Sequence, residues 1–582
     1  MRTVLRCAAF GIAAAMVLSI VLAQAPDKIP EDDTFEAAKR EFELKHYWDP
    51  LGSRNHVLDR VASTHELEAL KLMRAQYFKP HTLHPVQEKY CNAACLVRFT
   101  DAKQGAKEIA EWVEAVGKTP DYWLQFNYLR VEAAQNGAEK VLALARDKKA
   151  TAFTRAGAVQ ALATQGLIEG AALIPELIDF KTVKADKDDQ RVLIAACASA
   201  LVYLADEHLK EKRAEMIPAA ESVINLLADK KLAPELRVLV ARHLSAFLRT
   251  DRVWMTAEPW LMTLRGQMAT EDEGNTSARP AFMGLEIRGK HPVFVIDFSD
   301  SMLIPLSEEE KKEMRRGPIT PGPKEKMVGP GAPDELVKKD DKKNPLEDLP
   351  WDKIKTRFDA ARECLKVCLR GLTKDMTFAV IKFGDRAEPL AATSKMVTPS
   401  AASIEAACKE LDEIKPGKPM PDRDRGTLMG QTRLHTGVAW AFRINAKGVI
   451  TTEDEHINKD CLETGADSII VLSDGVPTWD DYAGYGPDFK YGPVPAHTER
   501  HVNPETGKEE IREIPAQPAG ISKNYVRGPF EKLEYYQRDL IRMNLFRRVE
   551  ISCIGVGEFD KNWLEGTAKM GCGTVRTITN KK

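Results

Sequence analysis

The stretch VFVIDFSDSM, from Val293 to Met302, decides the fold of the C-terminal half of this chain. An unbroken apolar run is typical of a strand that is buried on both faces of a sheet. The run ends at Asp297, and Ser299 and Ser301 follow at alternate positions. Three oxygen-bearing side chains at one strand end have the composition of a metal site, a catalytic site or a helix cap.

Short β-rich runs alternate with helical patterns around this stretch. We predict strands over 292–299, 376–384, 467–474 and 550–557. We predict helices over 355–372, 400–413, 433–444, 531–547 and 560–569. Continuous apolar strands separated by helices are typical of a mostly parallel sheet covered on both sides. The sequence therefore predicts a doubly wound, Rossmann-like α/β domain over residues 281–582.

The N-terminal half has a different, helical pattern over residues 32–270. The segments RAGAVQAL from Arg155, RVLIAACA from Arg191 and RVLVARHL from Arg237 resemble one another. Their spacing of about forty residues is typical of paired-helix solenoids of the HEAT or armadillo kind. We predict an all-α, repeat-like domain, with an irregular helical bundle as the alternative.

The N-terminus has the pattern of an export signal. Arg2 and Arg6 precede an apolar run over 8–23 that ends in small residues. We predict a signal peptide over 1–23 and an exported protein, periplasmic or extracellular; the alternative is an uncleaved anchor. No later run is long and apolar enough to span a membrane. The formal net charge of −2 predicts no general electrostatic attraction to nucleic acid or anionic lipid.

Two insertions, near 303–351 and 479–528, interrupt the α/β pattern. The first is rich in charged residues and proline, which predicts a solvated, mobile loop. The second contains Tyr482, Tyr485 and Tyr491, which either anchor a partner or pack against their own domain.

Histidine and cysteine side chains offer weaker metal-binding candidates. One group lies in the helical half and comprises His81, His84, Cys91 and Cys95. Their spacing is not that of a zinc finger, so we interpret the cysteines as helix packing and the histidines as solvated. His497 and His501 have helical spacing, but the prolines around them predict a loop. Most other cysteines lie in apolar patterns and are predicted to be buried rather than paired in disulfides.

Oxygen-rich side chains occur at three places where strands of the α/β domain are predicted to end. They are the DFSDS stretch from Asp297, then Thr432 before a helix, then Asp474 after an apolar strand. Ligands of doubly wound sheets bind at the carboxyl ends of the strands. Hydroxyl and carboxylate oxygens suit Mg²⁺ or Mn²⁺, whereas zinc prefers nitrogen and sulfur. The sequence therefore predicts a divalent metal site at this edge.

These segments, in this order, resemble a von Willebrand factor type A domain. The metal-ion-dependent adhesion site of that family is written D-x-S-x-S, then T, then D. The resemblance covers 281–582 and includes the closing strand ISCIGVG with GCGTVRTI after it. It implies that the two serines and the threonine bind the metal directly, and that the aspartates often act through water. The implied ligands are Asp297, Ser299, Ser301, Thr432 and Asp474.

Two residues depart from the pattern of the family. Asp300 stands where glycine is most common, and Arg433 follows Thr432 where asparagine is common. An added acid beside the metal would bias the choice of ion or weaken an acidic ligand.

The expected function is adhesion-type protein binding without catalysis. Mg²⁺ (or Mn²⁺) would keep one open coordination position, which an Asp or Glu of a partner protein fills. One alternative is a structural scaffold, whose helical repeats bind partners while the metal stabilises the fold. A hydrolase with its site in the second insertion is a further alternative. A phosphatase of the haloacid dehalogenase type is disfavoured, because Ser299 stands where its second acid belongs. The sequence leaves the oligomeric state open.

Overall fold

The computed structural model describes most of the chain between residues 34 and 579. The described ranges are 34–45, 50–180, 186–208, 211–250, 252–267, 279–315, 344–414, 431–491, 493, 495–502, 509–516 and 518–579. The predicted signal peptide and most of residues 271–280, between the two predicted regions, lie outside these ranges. Within them, no helix combines the length and the hydropathy needed to cross a bilayer.

The N-terminal region is helical, as predicted. Its helices are α1 (Phe35–Lys45), α2 (Leu51–Ser63), α3 (Leu67–Phe78), α4 (Pro85–Cys95), α5 (Ala106–Ala115), α6 (Tyr122–Asn136), α7 (Glu139–Arg146), α8 (Ala152–Thr164), α9 (Glu169–Ile178), α10 (Lys187–His208), α11 (Arg213–Leu226), α12 (Pro234–Leu248) and α13 (Ala257–Leu264). Alternate helices of this region pack against each other. Helices α8, α10 and α12 form one layer, and α9, α11 and α13 form another. The three similar sequence segments lie in the first layer.

Two of the three arginines that open these segments make equivalent contacts. Arg155 Nε donates to the carbonyl of Ala145, and Arg237 Nη1 donates to the carbonyl of Leu227. Each acceptor belongs to the end of the preceding helix, where carbonyl groups have no partner within the helix. Arg191 differs, because it pairs with Glu235 at 2.6 Å. Arg155 and Arg237 thus link successive helices, whereas Arg191 links α10 to α12.

A mixed α/β region follows. Its helices are α14 (Glu308–Arg315), α15 (Arg357–Arg370), α16 (Ala401–Glu413), α17 (Leu434–Arg443), α18 (Lys459–Thr464), α19 (Leu533–Met543) and α20 (Lys561–Met570). Its strands are β1 (Ala281–Phe282), β2 (Leu285–Glu286), β3 (Pro292–Asp297), β4 (Ala379–Phe383), β5 (Ala387–Pro389), β6 (Ile444–Asn445), β7 (Gly448–Val449), β8 (Ser468–Ser473), β9 (Gly484–Tyr491), β10 (His497–Val502), β11 (Glu509–Ile514), β12 (Gly520–Val526), β13 (Glu550–Val556) and β14 (Val575–Ile578). The main sheet has the order β14-β13-β8-β3-β4-β5. Its pairs are parallel except for the edge strand β5.

Apolar side chains project from both faces of this sheet, as its continuous apolar strands predict. Phe294 and Ile296 of β3 belong to a core shared with α15 and α16. Val293 and Val295, which point the other way along the strand, belong to a core shared with α17, α19 and α20. The sheet is therefore covered by helices on both sides.

The first insertion is more ordered than predicted. Leu306 and Met314 at its start, and Leu346 and Trp351 at its end, are buried in the core beside α15. The prediction of a solvated loop is wrong for these two ends, because apolar residues among the charges anchor them. Residues 316–343 lie outside the described ranges.

The second insertion forms antiparallel hairpins, in which β9 pairs with β12 and β10 pairs with β11. The predicted loop around His497 and His501 is wrong, because both histidines lie in β10. The nearby prolines fall outside that strand, where they cost no ladder hydrogen bond. Tyr482 is buried, whereas Tyr485 is 64% exposed, so the insertion has both a packed base and an exposed part.

The helical and α/β regions share apolar packing. Leu545 and Phe546, which follow α19, are fully buried in the core of the helical region. A second shared cluster contains Leu51, Cys91, Tyr482, Phe530 and Tyr535. The cysteines of the described residues are free, and all but Cys572 are buried, as predicted.

Candidate metal centre

Neighbouring strands bring the two acidic residues of the predicted site to one edge of the sheet. Asp297 ends β3, and Asp474 directly follows β8. These strands are parallel and hydrogen-bonded, so their carboxyl ends lie side by side. Thr432 reaches the same edge from the turn before α17. That turn is tied to the end of β4, because the Arg433 N–H donates to the Gly384 carbonyl at 3.0 Å.

The hydroxyl groups of the predicted site meet at this edge. Ser299 Oγ lies 2.9 Å from Ser301 Oγ, and Ser301 Oγ donates to Asp474 Oδ1 at 2.6 Å. A methyl group built on Gly475 would lie 3.4 Å from Thr432 Oγ1 and 3.6 Å from Ser301 Oγ. The structure therefore brings together three hydroxyls and a carboxylate that are up to 175 residues apart in sequence.

Asp297, at the end of β3, is fully buried. Its Oδ1 accepts a hydrogen bond from the Ser299 N–H at 2.8 Å, and its Oδ2 accepts one from Ser473 Oγ at 2.7 Å. Both oxygens thus accept hydrogen bonds from the protein, and these bonds hold the loop from Asp297 to Ser301 in place. This arrangement suits an indirect role of Asp297 in metal binding. Ser473 was not among the predicted site residues, although its place just before Asp474 at the end of an apolar strand was a usable signal.

The two carboxylates lie in an environment that disfavours their charge. Burial raises the pKa of Asp297 to about 7, and the nearby Asp474 adds to the rise, while hydrogen bonds from Ser299 and Ser473 oppose it. Burial also raises the pKa of Asp474, against hydrogen bonds from Ser301 and Arg357. A bound cation would offset the repulsion between two close carboxylates.

The donor set fits a hard divalent cation. It consists of two carboxylates and three hydroxyls, which are the oxygen ligands of Mg²⁺ or Mn²⁺. Among the described residues, no group of three or more His, Cys, Asp or Glu is placed to hold a metal. That search covers only these four residue types and so does not include a site built mainly from hydroxyls.

Arg357 is a buried residue of this centre that the sequence analysis missed. Its Nη1 donates to Asp474 Oδ2 at 3.0 Å, and its Nη2 lies 3.4 Å from Glu310 Oε1 of α14. The capping box of Thr356 begins α15 immediately before it. Gly557, with φ +71°, leaves room for the guanidinium, because a Cβ there would lie 1.9 Å from Arg357 Nη2. The first insertion thus reaches the centre through Glu310.

Replacing Arg357 by Gln is expected to tighten Mn²⁺ binding about tenfold. The guanidinium offsets part of the negative charge that attracts a cation, and about 1.4 kcal/mol corresponds to a factor of ten. Titration calorimetry of the full chain measures the affinity. Arg357→Lys keeps the charge and should stay near wild type, and adding Glu310→Gln to Arg357→Gln controls for the unpaired acid. Unchanged or weaker binding by folded Arg357→Gln would contradict this role.

The two residues that depart from the predicted pattern are Arg433, which forms an ion pair, and Asp300, which is exposed. Arg433 Nη1 pairs with Asp481 Oδ1 at 2.8 Å, which links the turn before α17 to the start of the second insertion. Asp300 is exposed in the short 3₁₀ turn after Ser299.

Buried polar groups connect the centre to the helical region. His435, one turn after Thr432, has Nε2 2.7 Å from Asp539 Oδ2, and its ring stacks on Phe530 at 3.8 Å. Asp539 Oδ1 accepts from Gln87 of α4 at 3.4 Å. The helix that carries the threonine loop is therefore braced by residues of the helical region.

The second metal candidate has ordinary packing roles. Cys91 and Cys95 are buried on α4, and Cys95 Sγ donates to the Cys91 carbonyl. The ring of His84 meets Tyr482 edge-on at 4.7 Å. These contacts agree with the interpretation of the cysteines as helix packing.

Comparisons with known proteins give little beyond this geometry. No family model and no curated protein matches the chain. Among solved structures, a von Willebrand factor type A protein from Catenulispora acidiphila is similar at 15% identity, with a TM-score of 0.25. The match covers 49% of this chain and 38% of the other. At that TM-score the similarity carries no argument about fold or function.

Proposed function

We propose that the chain is an exported, non-enzymatic protein that binds a partner through a metal-ion-dependent adhesion site of the von Willebrand factor A type. The observation that carries this proposal is the convergence of hydroxyls and acids from three separate loops at one sheet edge. Ser299, Ser301 and Thr432 would hold Mg²⁺ or Mn²⁺. Asp297 and Asp474 would steady the ion from behind, directly or through water. The bound ion supplies a positive centre for an acidic group of the partner.

An acidic partner fits the charge of the loaded centre. Two carboxylates balance a divalent cation, and the Arg357 guanidinium, which pairs with Asp474, is balanced by Glu310. The loaded centre would carry little net charge and would not repel an Asp or Glu side chain, which would bind at the open coordination position of the ion. The exposed apolar residue Val476, 52% exposed, lies two positions after Asp474 and would contact residues beside that acid.

The proposed role of the helical region is that of a repeat-like array of the HEAT or armadillo kind. Its alternating layers and the matching contacts of Arg155 and Arg237 support this proposal. Such an array would brace the centre and offer a broad second surface to the partner or to another copy.

A pull-down from an extract of the source cells, with Mg²⁺ and again with EDTA, tests the proposed function. Wild-type protein should retain a partner in Mg²⁺ and lose most of it in EDTA, while Ser299→Ala should lose it in both. Ser222→Ala changes a half-buried serine on α11, far from the centre in sequence; it is the matched control and should behave as wild type. Retention that is indifferent to chelation and to Ser299→Ala would contradict adhesion through the metal.

The scaffold alternative makes a different prediction from the same variants. The bracing of α17 by Asp539 and Gln87 favours a helical region that shapes the α/β fold. If the metal only stabilises that fold, Ser299→Ala should lower the melting temperature in Mg²⁺ and leave partner retention intact.

A further inference from the structure

A small cavity lies between the two regions, at the end of the sheet opposite the metal centre. Its volume is about 30 Å³. Helices α10 and α12 border it on one side, and the residues just before β3, β8 and β13 border it on the other. Its charged lining consists of Arg191, Glu235, Arg242, Asp467, Arg547 and Arg548.

Positive charge exceeds negative charge around this cavity. Arg191 pairs with Glu235 at 2.6 Å, and Arg242 Nη1 lies 3.5 Å from Glu550 Oε2. Asp467 is the remaining acid, and its oxygens accept hydrogen bonds from the backbone of residues 290 and 291. The four guanidinium groups of the lining therefore have three carboxylates near them, of which Glu235 and Asp467 line the cavity and Glu550 lies beside Arg242.

The hydrogen-bond acceptors of Arg547 and Arg548 are mainly neutral groups. Arg547 donates to the carbonyls of Phe442 and Ala466, and Arg548 Nη2 donates to Gln160 Oε1. Burial lowers the pKa of Arg547, and the negative charges of Glu455 and Asp467 only partly oppose this effect. A buried cation without a counter-ion is costly.

Two buried donors also lack acceptors. Arg242 and Arg548 are 3% and 4% exposed, and within the described part of the chain neither Nε finds a hydrogen-bond partner. Both residues line the cavity. An unmet charged donor costs more than a neutral one, so a group that accepts from them would stabilise the folded state.

We propose that this cavity binds a monovalent anion of chloride size, which clamps the helical region to the α/β region. One excess positive charge calls for one negative charge. A water needs about 10–15 Å³ of such space, so the cavity admits two or three water-sized particles, which suits a small anion. Arg191 and Glu235 keep 22% and 17% exposure, so the ion would enter beside that pair.

Thermal unfolding of the full chain in halide-free buffer tests the proposal. Sodium gluconate is replaced stepwise by sodium chloride at constant ionic strength. The melting temperature should rise by about 2–4 °C and then saturate, because an anion that binds only the folded state stabilises it. Bromide should act alike. Arg548→Gln should lose the saturable rise, whereas Arg249→Gln, an exposed arginine at the end of α12, should keep it.

Crystals of wild-type protein in sodium bromide keep the proposal testable if Arg548→Gln does not fold. An anomalous bromide peak among the four guanidinium groups is expected. A cavity that holds only water in these crystals, or equal melting temperatures in gluconate and chloride, would overturn the proposal.

Discussion

Asp539→Ala is expected to lower the free energy of unfolding by about 3–5 kcal/mol, because it leaves a buried charge without its closest partner. Asp539 Oδ1 accepts from Arg542 Nε at 2.7 Å, and its Oδ2 lies 2.7 Å from His435 Nε2. Burial would raise the pKa of Asp539, but Arg542 and His435 outweigh burial and hold that pKa well below its ordinary range. Urea unfolding of the full chain, followed by circular dichroism, measures the loss.

The control for this prediction is Asp352→Ala, since Asp352 is exposed. Its effect should stay within about 0.5 kcal/mol of zero, as for most surface changes. Because the pKa of Asp539 is depressed on folding, its contribution is present above pH ~4 and is lost as acid protonates it. The wild-type advantage over Asp539→Ala should therefore shrink as the pH falls below that value. A loss under 1 kcal/mol at neutral pH would show that the brace between α17 and the helical region is dispensable.

The second large effect concerns metal binding. Ser299→Ala and Asp297→Asn should each weaken Mn²⁺ binding about 100-fold, or about 2.7 kcal/mol, in titration calorimetry. The first removes a proposed ligand, and the second removes the carboxylate that accepts from both Ser299 N–H and Ser473 Oγ. Ser473→Ala should weaken binding less, by about tenfold, because it only orients Asp297.

Folding must be separated from binding in this experiment. Ser299→Ala and Ser222→Ala should unfold alike in EDTA, because both serines lose one hydroxyl and neither loss leaves a large cavity. Wild-type affinity in folded Ser299→Ala would remove that serine from the ligand set.

The strands of the main sheet and the loops that carry the site residues could be predicted from sequence, because the patterns that determine them are local. Continuous apolar runs predicted β3, β4, β8 and β13 to within a few residues, and D-x-S-x-S with two later oxygen residues indicated one shared edge. Boundaries of domains, the export signal and the identity of a bound metal stay predictions.

Other parts depend on contacts between distant segments, which periodicity does not record. Arg357 looks like an ordinary helix residue, and only folding places it 3.0 Å from Asp474. The charged composition of the first insertion hid Glu310, which is fully buried. The strand at His497 was missed because neighbouring prolines outweighed its alternating pattern.

Diffraction from crystals soaked in Mn²⁺, recorded where manganese scatters anomalously, tests the central claim most directly. We expect one strong peak bounded by Ser299 Oγ, Ser301 Oγ and Thr432 Oγ1, with metal–oxygen distances of about 2.1 Å. The peak should be absent from Ser299→Ala crystals treated identically. A wild-type peak elsewhere, or none at saturating Mn²⁺, would contradict the claim that these loops hold a divalent cation.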